Sequence, residues 1–180
     1  MIDFGFGVSL GRLKKDCHLQ QTYEWRNNYR GVWQWCRQND ILEPISHEKW
    51  FEKIALDSTI EMYGIFDGNL IGVCGLTSID RIAQRAEFSL YIAAEHQGKG
   101  HAQPSLETLF SHGFMNHNLN LIWGETFEDN HAYDIFLKIG MKHEGTRRQF
   151  YFKEGKHIDA HLISMTRQEF EEAPWKASQL

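Results

Sequence analysis

Apolar and polar positions change period several times along the chain, and each change marks an element. Residues 6–13 (Phe-Gly-Val-Ser-Leu-Gly-Arg-Leu) alternate enough for a first strand. Residues 15–38 are mostly polar, with Leu19, Tyr23, Trp25, Trp33 and Trp35 at mixed helical spacing and a break at Gly31. That pattern predicts one helix followed by a short irregular helical piece. Ser46 precedes Trp50, Phe51 and Ile54, so a helix capped by Ser46 is expected to run to about Leu56. From Ile60 the period drops to two. Ile60 to Phe66 and Leu70 to Ser78 read as a hairpin about Asp67-Gly68-Asn69, and residues 85–93 as a further strand. A helix is expected over 101–117, with Pro104 in its first turn, where a missing N–H costs little. Then come a strand at 120–127 and a helix at 129–139 closed by Gly140. Two strands at 145–153 and 157–166 follow, joined by Lys153-Glu154-Gly155-Lys156. The tail beyond Glu172 reads as loose. Seven strands interleaved with helices predict a mixed α/β layer structure.

Composition narrows the class. The chain has 180 residues without a Pro- or Ser-rich linker or a repeat, so one domain over 1–180 is expected. Hydrophobic residues at 42% and charged residues at 24% exclude disordered and fibrous classes. The longest apolar runs, such as Leu70 to Leu76, fall far short of a membrane span, and Met1-Ile2-Asp3-Phe4 has no leader pattern. No membrane association is expected. A net charge of −5 gives no drive toward nucleic acid. Cys17, Cys36 and Cys74 are odd in number and lack CxxC spacing, so reduced thiols and a cytoplasmic location are expected. Aromatics at 13% imply a large buried payload or an aromatic-walled pocket.

The informative hexapeptide is Gln97-Gly98-Lys99-Gly100-His101-Ala102, between a strand and a helix. Two glycines let backbone approach an anion closely, and the following helix aims free N–H groups at it. A pyrophosphate suits such a cradle. The loop is not a Walker A motif, because Gly100 follows Lys99 and Ala93 stands where the upstream glycine belongs. Nor is it the dinucleotide G-x-G-x-x-G, because Gln103 replaces the third glycine.

Ala86-Glu87-Phe88, Glu95 to Gly100, Phe136 to Met141, Glu144-Gly145 and Phe150 to Lys156 together resemble the GNAT superfamily of acyl-CoA-dependent N-acyltransferases. The likeness is strongest to its spermidine/diamine and ribosomal-protein N-terminal acetyltransferase branch. It implies a GNAT-like, mainly antiparallel sheet of about seven strands, helices on both faces and a splayed central strand pair. It also implies acetyl-CoA as cosubstrate, in the splay. Carried over by position, Tyr91, Ile92 and Ala93 become the pantetheine-pairing edge, and Gln97, Gly98, Lys99, Gly100, His101 and Ala102 the pyrophosphate cradle. Asn130, Phe136 and Lys138 line the cofactor from the later helix. Glu24, Trp25, Arg26, Trp33 and Trp35 fall where related enzymes build the acceptor wall. Core packing of a bulky helix pair is the alternative reading of those five.

Acyl transfer to an amine needs a free amine and a proton for the departing thiolate. Glu87 sits mid-strand in an apolar stretch, so its side chain either faces the cleft or is paired elsewhere, for instance with Arg85. It is the expected base. The family's acid position, a tyrosine, aligns with Phe136, which has no proton to give. Tyr133, one helical turn earlier, is the substitute, with packing as its plain alternative. His157, Asp159 and His161 share a strand face without metal-ligand spacing, so no metal is expected. The expected function is transfer of acetyl from acetyl-CoA to a primary amine of a small molecule, a polyamine or an amino sugar, by direct attack. A protein N-terminus as acceptor, or an acyl-CoA-binding module without turnover, are the alternatives. A homo-oligomer is compatible with all of them.

Overall fold

A computed structural model of the chain describes residues 1–176. The elements in chain order are β1 (Ser9–Arg12), α1 (Lys15–Asn27), a 3₁₀ turn (Trp33–Trp35), α2 (Pro44–Leu56), β2 (Glu61–Asp67) and β3 (Asn69–Asp80). They continue through β4 (Arg85–Ile92), a second 3₁₀ turn (Ala94–His96), α3 (Ala102–Ser111) and a π-helical turn (His112–Asn116). Last come β5 (Leu121–Phe127), α4 (Ala132–Lys138), β6 (Lys142–Lys153), β7 (Lys156–Thr166) and α5 (Arg167–Glu172). The seven strands form one sheet in the order β1-β2-β3-β4-β5-β7-β6. Only β4 and β5 run parallel; every other neighbouring pair is antiparallel.

Alternation along β3 divides the core. Ile71 faces Leu106, Leu109 and Phe110 of α3 in the main cluster, whereas Leu70 faces the other side, with Trp25, Val32 and Ala93. Helices therefore cover both faces, as adjacent strand residues point to opposite sides.

Several boundaries depart from the expected ones. The first strand is shorter than 6–13. The second helix starts at Pro44, two residues before Ser46, because proline in the first turn forfeits no hydrogen bond. The expected helix over 101–117 is α-helical only to Ser111 and then loosens into the π turn. A fifth helix follows β7. Its capping box, Thr166 with Glu169, was visible as Thr-Arg-Gln-Glu. Nor is the tail loose at residues 173–176: Ala173 and Trp175 are buried, and Trp175 Nε1 donates to the Ile139 carbonyl at 2.8 Å. The rest of the tail lies outside the described residues.

Candidate active site

The β4–β5 ladder pairs Arg85 with Leu121, Ala86 with Ile122 and Glu87 with Trp123, and stops there. A reason is visible one residue on. The Phe88 ring occupies the space over Gly124, where an added Cβ would lie 2.4 Å from the ring. The strands part around that ring and open a cleft of about 920 Å³. Residues 88–92 of β4 form one wall, and residues 125–127 of β5 with α4 form the other. Backbone groups that leave a ladder need a new partner. Near the mouth one is already satisfied: Gln97 Nε2 donates to the Ile92 carbonyl at 2.8 Å, whereas the Ala93 N–H faces β3 and donates to the Ile71 carbonyl at 2.9 Å. Because alternate residues of β4 bond to β3, the open edge lies at Phe88 and Leu90. Further in, the Thr126 hydroxyl is a buried side-chain group with no hydrogen-bond partner among the described residues, on the cleft wall. An orphan of that kind calls for a polar ligand atom.

At the mouth, Gly98 and Gly100 adopt φ of +71° and +84°, a left-handed conformation that glycine takes without strain, and an added Cβ at either would meet nothing within 4 Å. The loop is thus open to solvent on the side where those Cβ atoms would stand. Trp25 Nε1 pins the preceding turn by donating to Glu95 at 3.0 Å. His101, at the start of α3, is mostly covered and lies 3.9 Å from the Asp67 carboxylate.

Where the strands begin to part sits a cluster of charges. Glu87 points into the cleft, and its Oε1 holds Arg37 at 2.5 Å; Arg85 pairs with Asp80 instead. The same Arg37 group lies 3.4 Å from Glu125, whose other oxygen accepts from Arg147 at 2.9 Å. Tyr151 also donates to Glu125. Burial first, and the bond to Glu125 second, push the Tyr151 phenol up to about 12. The two carboxylates are well covered, at 14% and 6% side-chain exposure, whereas Arg37 is 48% exposed. Arg37 belongs to the irregular segment after the first 3₁₀ turn. Lys153 of β6 holds that segment, donating to the carbonyls of Trp33 (2.7 Å), Cys36 (2.5 Å) and Gln38 (3.4 Å). Arg26, Trp35 and Trp50 complete this end of the cleft.

The expected site residues divide clearly. Glu87, Tyr91, Ile92, Gln97, Gly98, Gly100, His101, Ala102, Asn130, Phe136, Lys138 and Arg26 line the cleft. Ala93 is instead buried in the smaller core cluster with Trp25. Lys99 is exposed and outside the lining, as is Glu24, which accepts from Gln20 at 2.7 Å. Trp33 stacks on Tyr29 behind the wall, under the Lys153 ammonium at 4.2 Å. Tyr133 is turned away. Its hydroxyl meets His143 Nδ1 at 3.0 Å and its ring lies against His161. Phe136 is buried edge-on to Phe88, with ring centres 5.2 Å apart. Asn130 accepts the Ala132 N–H at 3.0 Å, tying down the start of α4.

Sequence reasoning missed Arg37, Glu125, Thr126, Tyr151 and Lys153. One had a signal. Glu125 is an acid inside the apolar run Leu-Ile-Trp-Gly-Glu-Thr-Phe, the same anomaly that singled out Glu87. Arg37 lies on irregular backbone, where no period identifies a facing side chain.

The fold and site are a sheet split between β4 and β5, with a glycine loop at the mouth of the cleft and carboxylates where the strands begin to part. Comparisons with known proteins identify the family. Residues 8–142 match the family model described as Acetyltransferase (GNAT) domain. An uncharacterized N-acetyltransferase of Bacillus subtilis is 31% identical over 99 residues, spanning 54% of this chain and 56% of that protein. A spermidine N(1)-acetyltransferase of Vibrio cholerae is 28% identical over 136 residues, 74% of this chain and 79% of the relative. A crystal structure of spermidine N-acetyltransferase from Vibrio cholerae in complex with CoA and spermine superposes with a TM-score of 0.86. It covers 92% of this chain and 98% of that one at 24% identity, a likeness of fold. The chain belongs to the GNAT acetyltransferase family, whose members move acyl groups from acyl-CoA.

Proposed function

We propose that this protein transfers acetyl from acetyl-CoA to a primary amine of a polyamine, by direct attack within the cleft. The observation that carries the reading is the interrupted β4–β5 ladder, with open backbone at Phe88 and Leu90 and the orphan Thr126 hydroxyl opposite. Pantetheine carries amides at a spacing suited to a strand edge, and its pyrophosphate suits the N–H groups of Gln97 to Ala102. Acetyl-CoA supplies the activated acyl carbon. Glu87 takes the ammonium proton, directly or through water, once an incoming amine displaces the exposed Arg37 from its carboxylate. Neither Phe136 nor the outward-turned Tyr133 supplies the proton for the thiolate. Tyr151, which lines the cleft with its hydroxyl on Glu125, or solvent fills that role. Trp35, Trp50 and Phe127 offer apolar surface for the methylenes of a polyamine. Cys17, Cys36 and Cys74 are all free thiols, which suits a cytoplasmic enzyme.

A second acceptor class has its own support. Arg26, Arg37 and Arg147 bring three guanidinium groups to the acceptor end, which suits an amine that also carries an acidic group, such as a peptide N-terminus. The test is an acceptor panel with acetyl-CoA and thiol detection, containing spermidine, spermine, amino sugars and peptides with acidic second residues. Turnover highest with spermidine or spermine supports the polyamine reading. Turnover confined to acidic peptides overturns it, and CoA binding without turnover on any amine returns the protein to a binding module.

A further inference from the structure

On the sheet face opposite Met62, which lines the cleft, β2 presents Glu61 and Tyr63, two residues apart and therefore side by side. The π turn places two imidazoles against them. In a regular α-helix, residues five apart point about 140° away from each other. Here the backbone N–H of His117 bonds to the carbonyl of His112 at 3.3 Å, closing a wider turn that brings both side chains onto one side. Nε2 of His112 and Nε2 of His117 lie 2.9 Å apart. Glu61 Oε2 is 2.9 Å from His117 Nε2 and 3.6 Å from His112 Nε2. The Tyr63 hydroxyl is 2.7 Å from Glu61 Oε2 and 3.0 Å from His112 Nε2.

Four polar atoms thus converge on one point, and hydrogen bonds satisfy them poorly. Asn116 Nδ2 donates to His112 Nδ1 at 2.9 Å, so a neutral His112 carries its proton on Nε2. With Glu61 ionised and His117 donating to it, the protons of His112 and His117 face each other across 2.9 Å. A cation at the centre removes the conflict. Donor atoms about 2.0–2.1 Å from a zinc ion stand about 3.3 Å apart at the corners of a tetrahedron. The five separations here, from 2.7 to 3.6 Å, bracket that edge.

We propose that Glu61, His112 and His117, with Tyr63 as a fourth donor, form a binding site for a divalent first-row metal ion of the zinc type. Two imidazoles and a carboxylate are the ligand set such ions take. Asn116 Nδ2 meets His112 Nδ1 at 2.9 Å; binding an ion through Nε2 places the ring proton on Nδ1, so the Asn116 amide must turn its oxygen toward the ring to accept it. The site lies outside the cleft lining, so its role is structural: the ion ties the start of β2 to the turn that ends α3. The proposal does not rest on acetyl transfer.

The test is zinc chloride titration of the untagged, metal-stripped chain by calorimetry, with cobalt(II) as an optical probe. The expected result is one zinc per chain, a raised melting temperature and a cobalt spectrum of four-coordinate intensity. His117→Ala should weaken zinc affinity at least about a hundredfold, a change as large as that seen on losing supporting partners alone. Glu61→Gln, which keeps shape and hydrogen bonding, should also weaken it, and serves if His117→Ala melts early. His143→Gln dismantles the separate His143–His161 cluster and should leave binding intact. Zinc binding lost in His143→Gln but kept in His117→Ala overturns the proposal. So does wild-type affinity in Glu61→Gln, or an octahedral cobalt spectrum with no rise in melting temperature.

Discussion

Replacing Lys153 with methionine tests how the acceptor end of the cleft is held together. Lys153 is 5% exposed, and its ammonium sits under three carbonyls of the segment that carries Arg37. Methionine keeps the length of the side chain and its packing against Trp33 and Phe127, but gives the carbonyls no donor. Hydrogen bonds to a charged donor contribute about 1.5–3 kcal/mol each, and the two at 2.5–2.7 Å dominate over the one at 3.4 Å. Against that gross loss of about 3–6 kcal/mol stands the relief of no longer burying an ammonium, whose pKa is lowered chiefly by burial. A net destabilisation of about 2–3 kcal/mol follows. For a chain of this size that is a fall in melting temperature of roughly 4–12 °C. The freed segment should also raise KM for the amine several-fold while leaving CoA affinity unchanged, because the glycine loop proposed to hold the pyrophosphate lies at the other end of the cleft. Thermal melts, calorimetric CoA binding and acceptor kinetics read the three quantities separately. A variant that melts within about 0.5 kcal/mol of the wild type, with unchanged acceptor KM, would refute the reasoning.

Three further outcomes are expected. Glu87→Gln should lower kcat roughly a hundredfold with CoA affinity unchanged, whereas Tyr133→Phe should change it less than about threefold; a reversal of that order would reinstate Tyr133 as the acid. Gly100→Val should weaken CoA binding more than tenfold, about 1.4 kcal/mol, because a branched side chain at φ +84° strains the loop and stands in the anion's approach; unchanged affinity in calorimetry would move the phosphates elsewhere. His47, 2% exposed, is held down to about 4 by burial, with Arg26 adding to the effect. The unfolded chain therefore binds the extra proton first, and stability should fall as pH drops from about 6.5 to 4, by about 3 kcal/mol at the lower end. His47→Gln should flatten that slope in denaturant titrations, and an unaltered slope would assign it to other groups.

Much of the architecture was legible one element at a time. Seven strands, the hairpin at Asp67-Gly68-Asn69 and the glycine cradle all follow from period and turn chemistry, which act within a few residues. Glu87 was legible for a related reason, since an acid in an apolar strand must find a partner. What no period contains is which partner. Arg37 reaches Glu87 from fifty residues away, and Lys153 reaches Trp33 from further still, across the sheet order that sets β6 beyond β7. Tyr133 and Phe136 show the same limit. Both sit on α4, and only the packing of that helix against Phe88 on one side and His143 on the other decides which ring faces the cleft. The π turn is the extreme case. His112 and His117 belong to opposite faces of the helix that the sequence predicts, and they meet Glu61 only because the backbone widens by one residue after Ser111. Local composition therefore determined the elements and the glycine loop. The partners of Glu87, the anchoring of the Arg37 segment and the imidazole cluster were decided by contacts between residues distant in the chain, whose energies depend on burial that exists only after the sheet has closed.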